Sequence, residues 1–199
     1  LSCGSEQIAI ASVELVNVPS KGIRLCQEII HRETRVSENR IWVHVTHAIS
    51  TMHEPGTAGP ASGKDQDPGR LYEQKRLFFE ALKAAVTDAA RSAAADLGPV
   101  KIGFSAGECD ANVNRDVETP FGWWTGLNPE EPSNKKMSVL RAEDFSGKVK
   151  GFLISYGIKP CALDNAGMMD GTRLVSADVC GVCSTMMEEY FGVPAPFCV

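Results

Sequence analysis

One segment of this 199-residue chain has a helix start signal at one end and a helix stop signal at the other, and the helix that they predict limits how the rest of the chain can be arranged. Asp67 followed by Pro68 is typical of a helix start, a cap and then a proline at the first helical position. The pair at residues 98–99, Gly-Pro, is typical of a helix stop. Between them an alanine-rich sequence keeps apolar or small residues on one stripe, at positions 71, 78, 82, 85 and 89. The sequence therefore predicts a long helix with one face against a core.

Segments typical of β-strands lie on both sides of this helix, since they are rich in β-branched and aromatic residues. They cover residues 7–16, 40–47, 100–107 and 147–158. Two further helices are predicted, one after Pro19 with Ser20 as its cap, and one over about residues 179–191. Strands separated by helices of this length predict an α/β fold, with layered sheets flanked by helices.

The length of the chain predicts a single α/β domain over residues 1–199. Within it, residues 54–70 contain four glycines and three prolines, which predicts a long loop. A loop of this length inside a compact domain is usually functional or mobile.

Charge and composition exclude several classes of protein. Twenty basic and 25 acidic residues give a net charge of −5, so no broad basic surface is available for nucleic acid. No apolar run is long enough for a membrane span, which needs about 18 residues, and the first residues do not read as a secretory signal. Seven scattered cysteines are an odd number, which favours reduced thiols in a cytoplasmic protein.

Three of the four histidines lie in the stretch from Ile41 to Gly56, where a metal site is the first hypothesis to consider. In a regular strand His44 and His47 point to opposite faces, so they could not bind one ion. His47 closes the predicted strand and opens the following loop, a common place for functional side chains. His53 lies inside the loop and could fold back towards His47. We therefore expect His47, more than the other two, to be functional.

Residues 106–129 are dense in polar groups and loop formers. One interpretation is a surface loop pinned by its aromatic residues. The other is the wall of a pocket, in which Asn114 and Arg115 face a ligand and Arg115 is available for a carboxylate or oxyanion. The adjacent Trp123 and Trp124 would then bind substrate, or would face a partner subunit instead.

Two other polar positions follow predicted elements. Lys159 comes directly after a strand, where it is either a solvated charge or, in a pocket, an electrophile or nucleophile. Ser176 and Asp178 precede the last helix. Ser176 could cap that helix, and Asp178 could bind a ligand or hold backbone amides in place.

Several motifs in this order resemble the neutral/alkaline ceramidase family of zinc-dependent amidases, in the N-terminal portion of its catalytic domain. The family has a strand, a "THTHSGP"-like loop, an "NR" motif, a "D…VLR…DG" stretch, an "HP" after a strand, and "SADYPG" at a helix start. The matching stretches here are "ASVELVNVP", "VTHAISTMHEPG", "NVNRD", "MSVLRAEDFSGKVKGFLISYGIKP" and "LVSADVCG".

This resemblance implies a ceramidase-like fold and hydrolysis of an amide bond by zinc-activated water. His47 matches the first histidine of the "HTH" motif, a zinc ligand in the family, and Arg115 matches the substrate-side arginine of "NR". Ile49 occupies the position of the second histidine, and Lys159 occupies that of the histidine in "HP". Ile cannot coordinate zinc, and an ammonium cannot unless it loses its proton.

We therefore predict no cofactor for this chain, and zinc only if ligands outside the chain join His47. One alternative is that His44 or His53 replaces a lost ligand. The predicted site consists of His47, Arg115 and Lys159 as catalytic residues. The predicted substrate-binding residues are Asn114, Trp123, Trp124 and Asp178.

The resemblance also implies that more of the catalytic domain follows Val199, so this chain is the N-terminal part of a larger unit. We expect a complement chain from the same precursor, produced by self-processing, in which a new N-terminal residue could act as nucleophile. The predicted function is hydrolysis of a small linear or cyclic amide by this two-chain, oligomeric amidase. The alternative is a catalytically inactive homologue that acts as a binding or structural subunit.

Overall fold

The computed structural model describes residues 1–56, 67–163 and 174–199. The described residues form three α-helices: α1 (Ser20–Thr34), α2 (Pro68–Ala95) and α3 (Asp178–Phe191). They also form ten strands: β1 (Ser2–Cys3), β2 (Glu6–Gln7), β3 (Ala9–Val13), β4 (Ile41–Val45), β5 (Lys101–Glu108), β6 (Asp116–Thr119), β7 (Gly122–Thr125), β8 (Lys136–Glu143), β9 (Val149–Tyr156) and β10 (Phe197–Cys198).

The first half of the chain is a two-stranded parallel sheet covered by two helices. Strands β3 and β4 pair in parallel, with α1 as the crossover between them. The core between sheet and helices contains Cys26, Ile29 and Ile30 of α1, with Leu82 and Val86 of α2. Because a parallel pair needs a long crossover, the helix predicted after Pro19 is a requirement of this topology.

The second half is a four-stranded mixed sheet in the order β10-β9-β8-β5. Strands β5, β8 and β9 pair antiparallel, and β10 joins β9 in parallel. Helix α3 packs Cys180 against Ile154, Tyr156 and Phe197 of this sheet. Strand β5 forms the edge, and all eight of its residues are exposed, Ile102 and Phe104 included.

Two hydrogen bonds join the halves where β10 meets the β3-β4 pair. The Ser12 hydroxyl donates to the Phe197 carbonyl at 2.6 Å, and the Val199 backbone N–H donates to His44 Nε2 at 3.1 Å. This contact brings the carboxyl end of β10 beside the carboxyl end of β4.

The α/β class and all three helices are confirmed. Asp67 caps α2 as expected, because its carboxylate accepts from the N–H groups of Gly69 and Arg70. The loop predicted over residues 54–70 ends at Asp67, while residues 57–66 lie outside the described ranges. Ser20 is not a cap: it is the first helical residue, and Pro19 occupies the cap position without a side-chain hydrogen bond.

Four strands in the second half of the chain were not predicted as secondary structure: β6, β7, β8 and the short β10. Strand β8 lies in the "VLR" stretch, and the segment interpreted as one long loop contains the β6-β7 hairpin.

No helix in the described ranges combines the length and apolarity needed to span a bilayer. All seven cysteines are free thiols.

Truncating Leu82 to alanine is expected to destabilise the protein by about 2–5 kcal/mol, because it leaves a cavity between α1 and α2. Leu77→Ala is the matched control on the same helix, since Leu77 is 52% exposed and Leu82 only 8%. Urea unfolding curves give both free energies of unfolding. Equal losses for the two variants would contradict the assignment of this core.

Candidate functional site

A cavity of about 550 Å³ opens at the carboxyl ends of four strands. One lining segment follows each of β3, β4, β9 and β10. The lining residues are Val16, His47, Ile49, Gly157, Ile158, Lys159, Pro160 and Val199. Ligand sites of α/β proteins lie typically at the carboxyl ends of strands, and this volume is in the range of small-molecule sites. The cavity is therefore the candidate functional site.

His47 is held in one orientation at the wall of this cavity. Its Nδ1 lies 2.9 Å from the Val16 carbonyl oxygen, which can only accept, so Nδ1 carries the proton and Nε2 is left as an acceptor. The backbone at His47 is left-handed, with φ of 57°, a conformation uncommon for residues other than glycine. Strand β4 ends at Val45, so the alternation of faces predicted for His44 and His47 does not extend to His47.

Lys159 is brought to the same cavity by a contact between two loops. The Ile49 backbone N–H donates to the Pro160 carbonyl at 3.1 Å, which joins the loop after β4 to the loop after β9. Pro160 itself is fully buried. In the described part of the chain, the Lys159 ammonium has no ion pair or hydrogen bond. Three positions singled out by the sequence, His47, Ile49 and Lys159, thus share one cavity.

Asp178 fastens the loops that carry these residues. Its side chain is only 2% exposed, and its Oδ2 accepts from the Leu163 backbone N–H at 2.9 Å, in the segment after β9. Oδ1 accepts from Val179 N–H at 2.7 Å at the start of α3, and the Ser50 hydroxyl lies 3.5 Å from Oδ2. The carboxylate therefore holds backbone amides, one of the two roles considered from sequence, and it does not line the cavity.

Ser50 and Ser176 add a second connection between the same segments. The Ser50 hydroxyl donates to the Ser176 carbonyl at 3.0 Å, and the Ser176 N–H donates to the Ser50 carbonyl at 2.9 Å. The Ser176 hydroxyl also accepts from the Asp178 N–H at 3.0 Å, but Ser176 is not the cap: Ala177 occupies the cap position of α3, without a side-chain hydrogen bond. The loop after β4 is thereby fixed to the beginning of α3.

His44 is adjacent to the site without lining it. Its Nε2 accepts from the Val199 N–H, so this nitrogen is unprotonated. Burial lowers the pKa of His44 below its ordinary value, and the charge of His47 lowers it further. The exposed His53 turns back to the loop, where its Nε2 lies 3.2 Å from the Ile49 carbonyl oxygen. Neither histidine is among the cavity-lining residues.

Arg115 does not line the cavity, but it contacts Cys161, the residue that follows the lining residue Pro160. Its Nε donates to the Gly126 carbonyl at 3.1 Å, and its Nη1 lies 2.9 Å from the sulfur of Cys161, which follows Pro160. Asn114 uses its side chain locally, since its amide nitrogen donates to the Pro132 carbonyl and its oxygen accepts from the Asp116 N–H. The substrate-side roles of both residues stay predictions.

Trp123 and Trp124 lie on strand β7, and both are largely exposed. Neither lines the cavity, and successive residues of a strand point to opposite faces. The β6-β7 hairpin is connected to the cavity wall through Arg115, whose guanidinium spans Gly126 and Cys161. A substrate contact for the two tryptophans stays a prediction.

The described residues do not fit a zinc ion at this cavity. A zinc site takes three or four protein ligands. His47 offers one nitrogen, while the other two matched positions hold Ile49 and Lys159. In the ranges 1–56, 67–163 and 174–199, no group of three His, Cys, Asp or Glu side chains is placed to hold a metal.

Neither Val16 nor Val199 was predicted from the sequence as part of the site. The Val16 carbonyl sets the tautomer of His47 from 31 residues away, and Val199 reaches His44 across 155 residues. The one sequence signal for Val16 was its position at the end of a predicted strand, where His47 also lies and which Lys159 directly follows.

The fold is similar to that of two solved structures. The neutral ceramidase from Pseudomonas aeruginosa superposes with a TM-score of 0.65 at 17% sequence identity. A ceramidase complexed with C2 superposes with a TM-score of 0.64, also at 17% identity. Each match covers 94% of this chain and 29% of the other. No family model and no curated protein matches the sequence.

The chain therefore has an α/β fold of the ceramidase-like class. In particular, its fold is similar to one part of neutral ceramidase, and the chain spans 29% of the length of the structures that it matches. The fold expected from the sequence motifs is confirmed.

Replacing Asp178 by asparagine is expected to destabilise the protein by about 1–3 kcal/mol, because an amide N–H₂ then faces a backbone N–H that needs an acceptor. Asparagine tolerates the left-handed backbone at this position, where φ is 54°, so backbone strain does not confound the result. Asp110→Asn is the control, since the Asp110 side chain is 93% exposed. Thermal or urea unfolding measures both, and equal stabilities would contradict the role of Asp178.

His44 should make the stability depend on pH. Its pKa in the folded state lies below the ordinary value of about 6.5, so the unfolded state binds more protons as pH falls through that value. Stability due to His44 is therefore complete above this pH and is lost as the pH falls towards the folded pKa. His44→Gln should flatten the fall in the free energy of unfolding between about pH 7 and 5. His53→Gln is the exposed control, and parallel curves for His44→Gln and the parent would refute the assignment.

Proposed function

We propose that this chain is part of a hydrolase of carbon–nitrogen bonds in small amides, with its active site at the cavity between His47 and Lys159. The observation that carries the proposal is that the cavity joins His47, Ile49 and Lys159, the three positions that match the metal-site motifs of the ceramidase family. The ceramidase-like fold supports it, because the matched proteins are named as ceramidases, and a ceramidase hydrolyses an amide bond.

In the proposed reaction, a water molecule attacks the amide carbonyl while His47 Nε2 accepts its proton. The new C–O bond forms, the C–N bond breaks, and the imidazolium returns the proton to the leaving nitrogen. The hydrogen bond from Nδ1 to Val16 keeps Nε2 directed away from the backbone and available as base. The ammonium of Lys159 supplies positive charge for the oxyanion that forms during attack.

Arg115 has a supporting part in this proposal. Its guanidinium has five donors, and the described contacts use two of its nitrogens. The remaining donors are available for the substrate next to the wall formed by Pro160. Asn114, Trp123 and Trp124 form the proposed substrate side together with it. Asp178 acts indirectly, by positioning the loops that carry His47 and Lys159.

The proposal includes a complement from the same precursor. The matched structures are much longer than this chain, which spans 29% of them. We propose that self-processing yields two chains and that the assembly is an oligomer in the cytoplasm. In the processed form the side chain of the new N-terminal residue attacks the amide carbonyl in place of water, its proton passes to the leaving nitrogen, and water then hydrolyses the acyl intermediate. Intact-mass measurement of the expressed full-length gene product tests this, since one uncut and active polypeptide would refute self-processing.

Ile49 favours a second candidate function. An apolar side chain stands where the family has a histidine, and most of the cavity lining is apolar. A site of this kind can bind a ligand without transforming it. The second candidate is therefore a catalytically inactive, ceramidase-like binding subunit.

His47→Ala and Lys159→Ala in the full-length protein are expected to lower kcat for amide hydrolysis by on the order of 10²–10⁴. His53→Ala and Lys148→Ala are matched controls outside the cavity lining and should keep full activity. A panel of N-acyl amides, followed by release of the amine, measures the rates. Metal analysis of the same sample tests the zinc alternative.

Activity that survives both cavity substitutions would refute the proposed mechanism. Absence of activity in the parent protein, with ligand binding intact, would favour the binding subunit. Stoichiometric zinc that disappears with His47→Ala would show that ligands outside this chain complete a metal site.

A further inference from the structure

The charge of the cavity wall is one-sided. Apart from His47, Lys159 is the one ionisable side chain among the eight described lining residues, and none of these eight has a side-chain carboxylate. The other lining residues are apolar or glycine. The described contacts give the Lys159 ammonium no counter-ion. Lys159 is exposed, so water solvates its ammonium, and a ligand that displaces this water can replace it with an anionic group.

A second cavity of the same volume provides an internal contrast. It is lined by Lys135 and Lys136, but Glu108 lines it as well. Lys135 donates to the Asn112 carbonyl at 2.6 Å and lies 3.7 Å from a carboxylate oxygen of Asp110. The lysine charge there is matched by groups of the protein itself. The unmatched lysine at the first cavity is thus not a general property of lysine-lined surfaces in this chain.

The surroundings of the first cavity add positive charge. Arg115 contacts Cys161, directly after the wall residue Pro160, and its described contacts are to a carbonyl oxygen and a thiol, neither of them a carboxylate. The chain as a whole carries a net charge of −5. Two basic side chains, Lys159 in the lining and Arg115 next to it, thus lie at this cavity, although the chain as a whole is acidic.

We infer that the ligand of this cavity is an amide that carries a carboxylate, with an apolar acyl chain against the apolar wall and the carboxylate against Lys159, as in an N-acyl amino acid. This inference rests on the proposed function for the amide bond, but its charge component can be tested by binding alone. It distinguishes the site from one suited to a neutral lipid amide, which has no group for the ammonium to pair with.

The test compares N-decanoylglycine with its neutral isostere N-decanoylglycinamide. Titration calorimetry is done on full-length protein with His47→Ala, so that binding is measured without turnover by the proposed base. We expect the carboxylate to bind at least about 10-fold more tightly than the neutral amide, as one charge-assisted contact predicts. Adding Lys159→Met should abolish this preference.

Two variants keep the result interpretable. Lys159→Arg retains the charge and should retain most of the preference for the carboxylate. Lys148→Met removes a lysine from the β8-β9 turn, outside the cavity, and should change nothing. Lys159 is exposed, so its substitution should leave the unfolding temperature unchanged, which a thermal melt verifies.

Equal affinity for the two probes, a preference that survives Lys159→Met, or no binding of either probe would overturn the inference. If the parent protein hydrolyses neutral amides in a manner that depends on His47, the proposed function stands while the inference fails. If the carboxylate is preferred but no amide is hydrolysed, the inference stands and the binding-subunit function replaces the hydrolase.

Discussion

The carboxylate of Asp178 is the interaction on which the site depends. It joins the segment after β9 to the start of α3 and lies next to the hydroxyl of the loop after β4. Without it, the Leu163 N–H in irregular backbone and the Val179 N–H at the helix start would lose their acceptor. Together with the Ser50–Ser176 and Ile49–Pro160 contacts, this buried carboxylate joins the loop after β4, the loop after β9 and the start of α3. The cavity depends on these connections, since His47 and Lys159 lie on the two loops.

The strand directions explain why the cavity is in this place. Two parallel pairs, β3 with β4 and β9 with β10, end on the same side, and the four segments that follow them line the cavity. The Ser12 and His44 contacts set the pairs against each other. Side chains at these ends are free of the regular pairing that the strands impose, which leaves them available for chemistry.

Local signals in the sequence predicted much of this fold. The cap at Asp67 and the stripe on α2 are properties of neighbouring residues, and so is the end of α3 at Gly192, whose backbone is left-handed. The β6-β7 hairpin was missed because its exposed tryptophans and turn formers resemble a loop as much as a strand. The family motifs predicted that His47 and Lys159 belong to one site, whereas the spacing of the two residues along the chain did not. The contacts that create the site, from Asp178 to Leu163 and from His47 to Val16, join residues 15 and 31 positions apart and have no periodicity to reveal them.

The exposed edge strand β5 has a consequence for handling the protein. Its outer N–H and C=O groups pair with no other strand in the described residues, and Ile102 and Phe104 stand exposed along it. Long apolar edges of this kind recruit further strands, including those of neighbouring copies. Lys101 and Glu108 place charges at its two ends, but the stretch between them carries none. We therefore expect association of this chain at high concentration to proceed by strand addition at this edge.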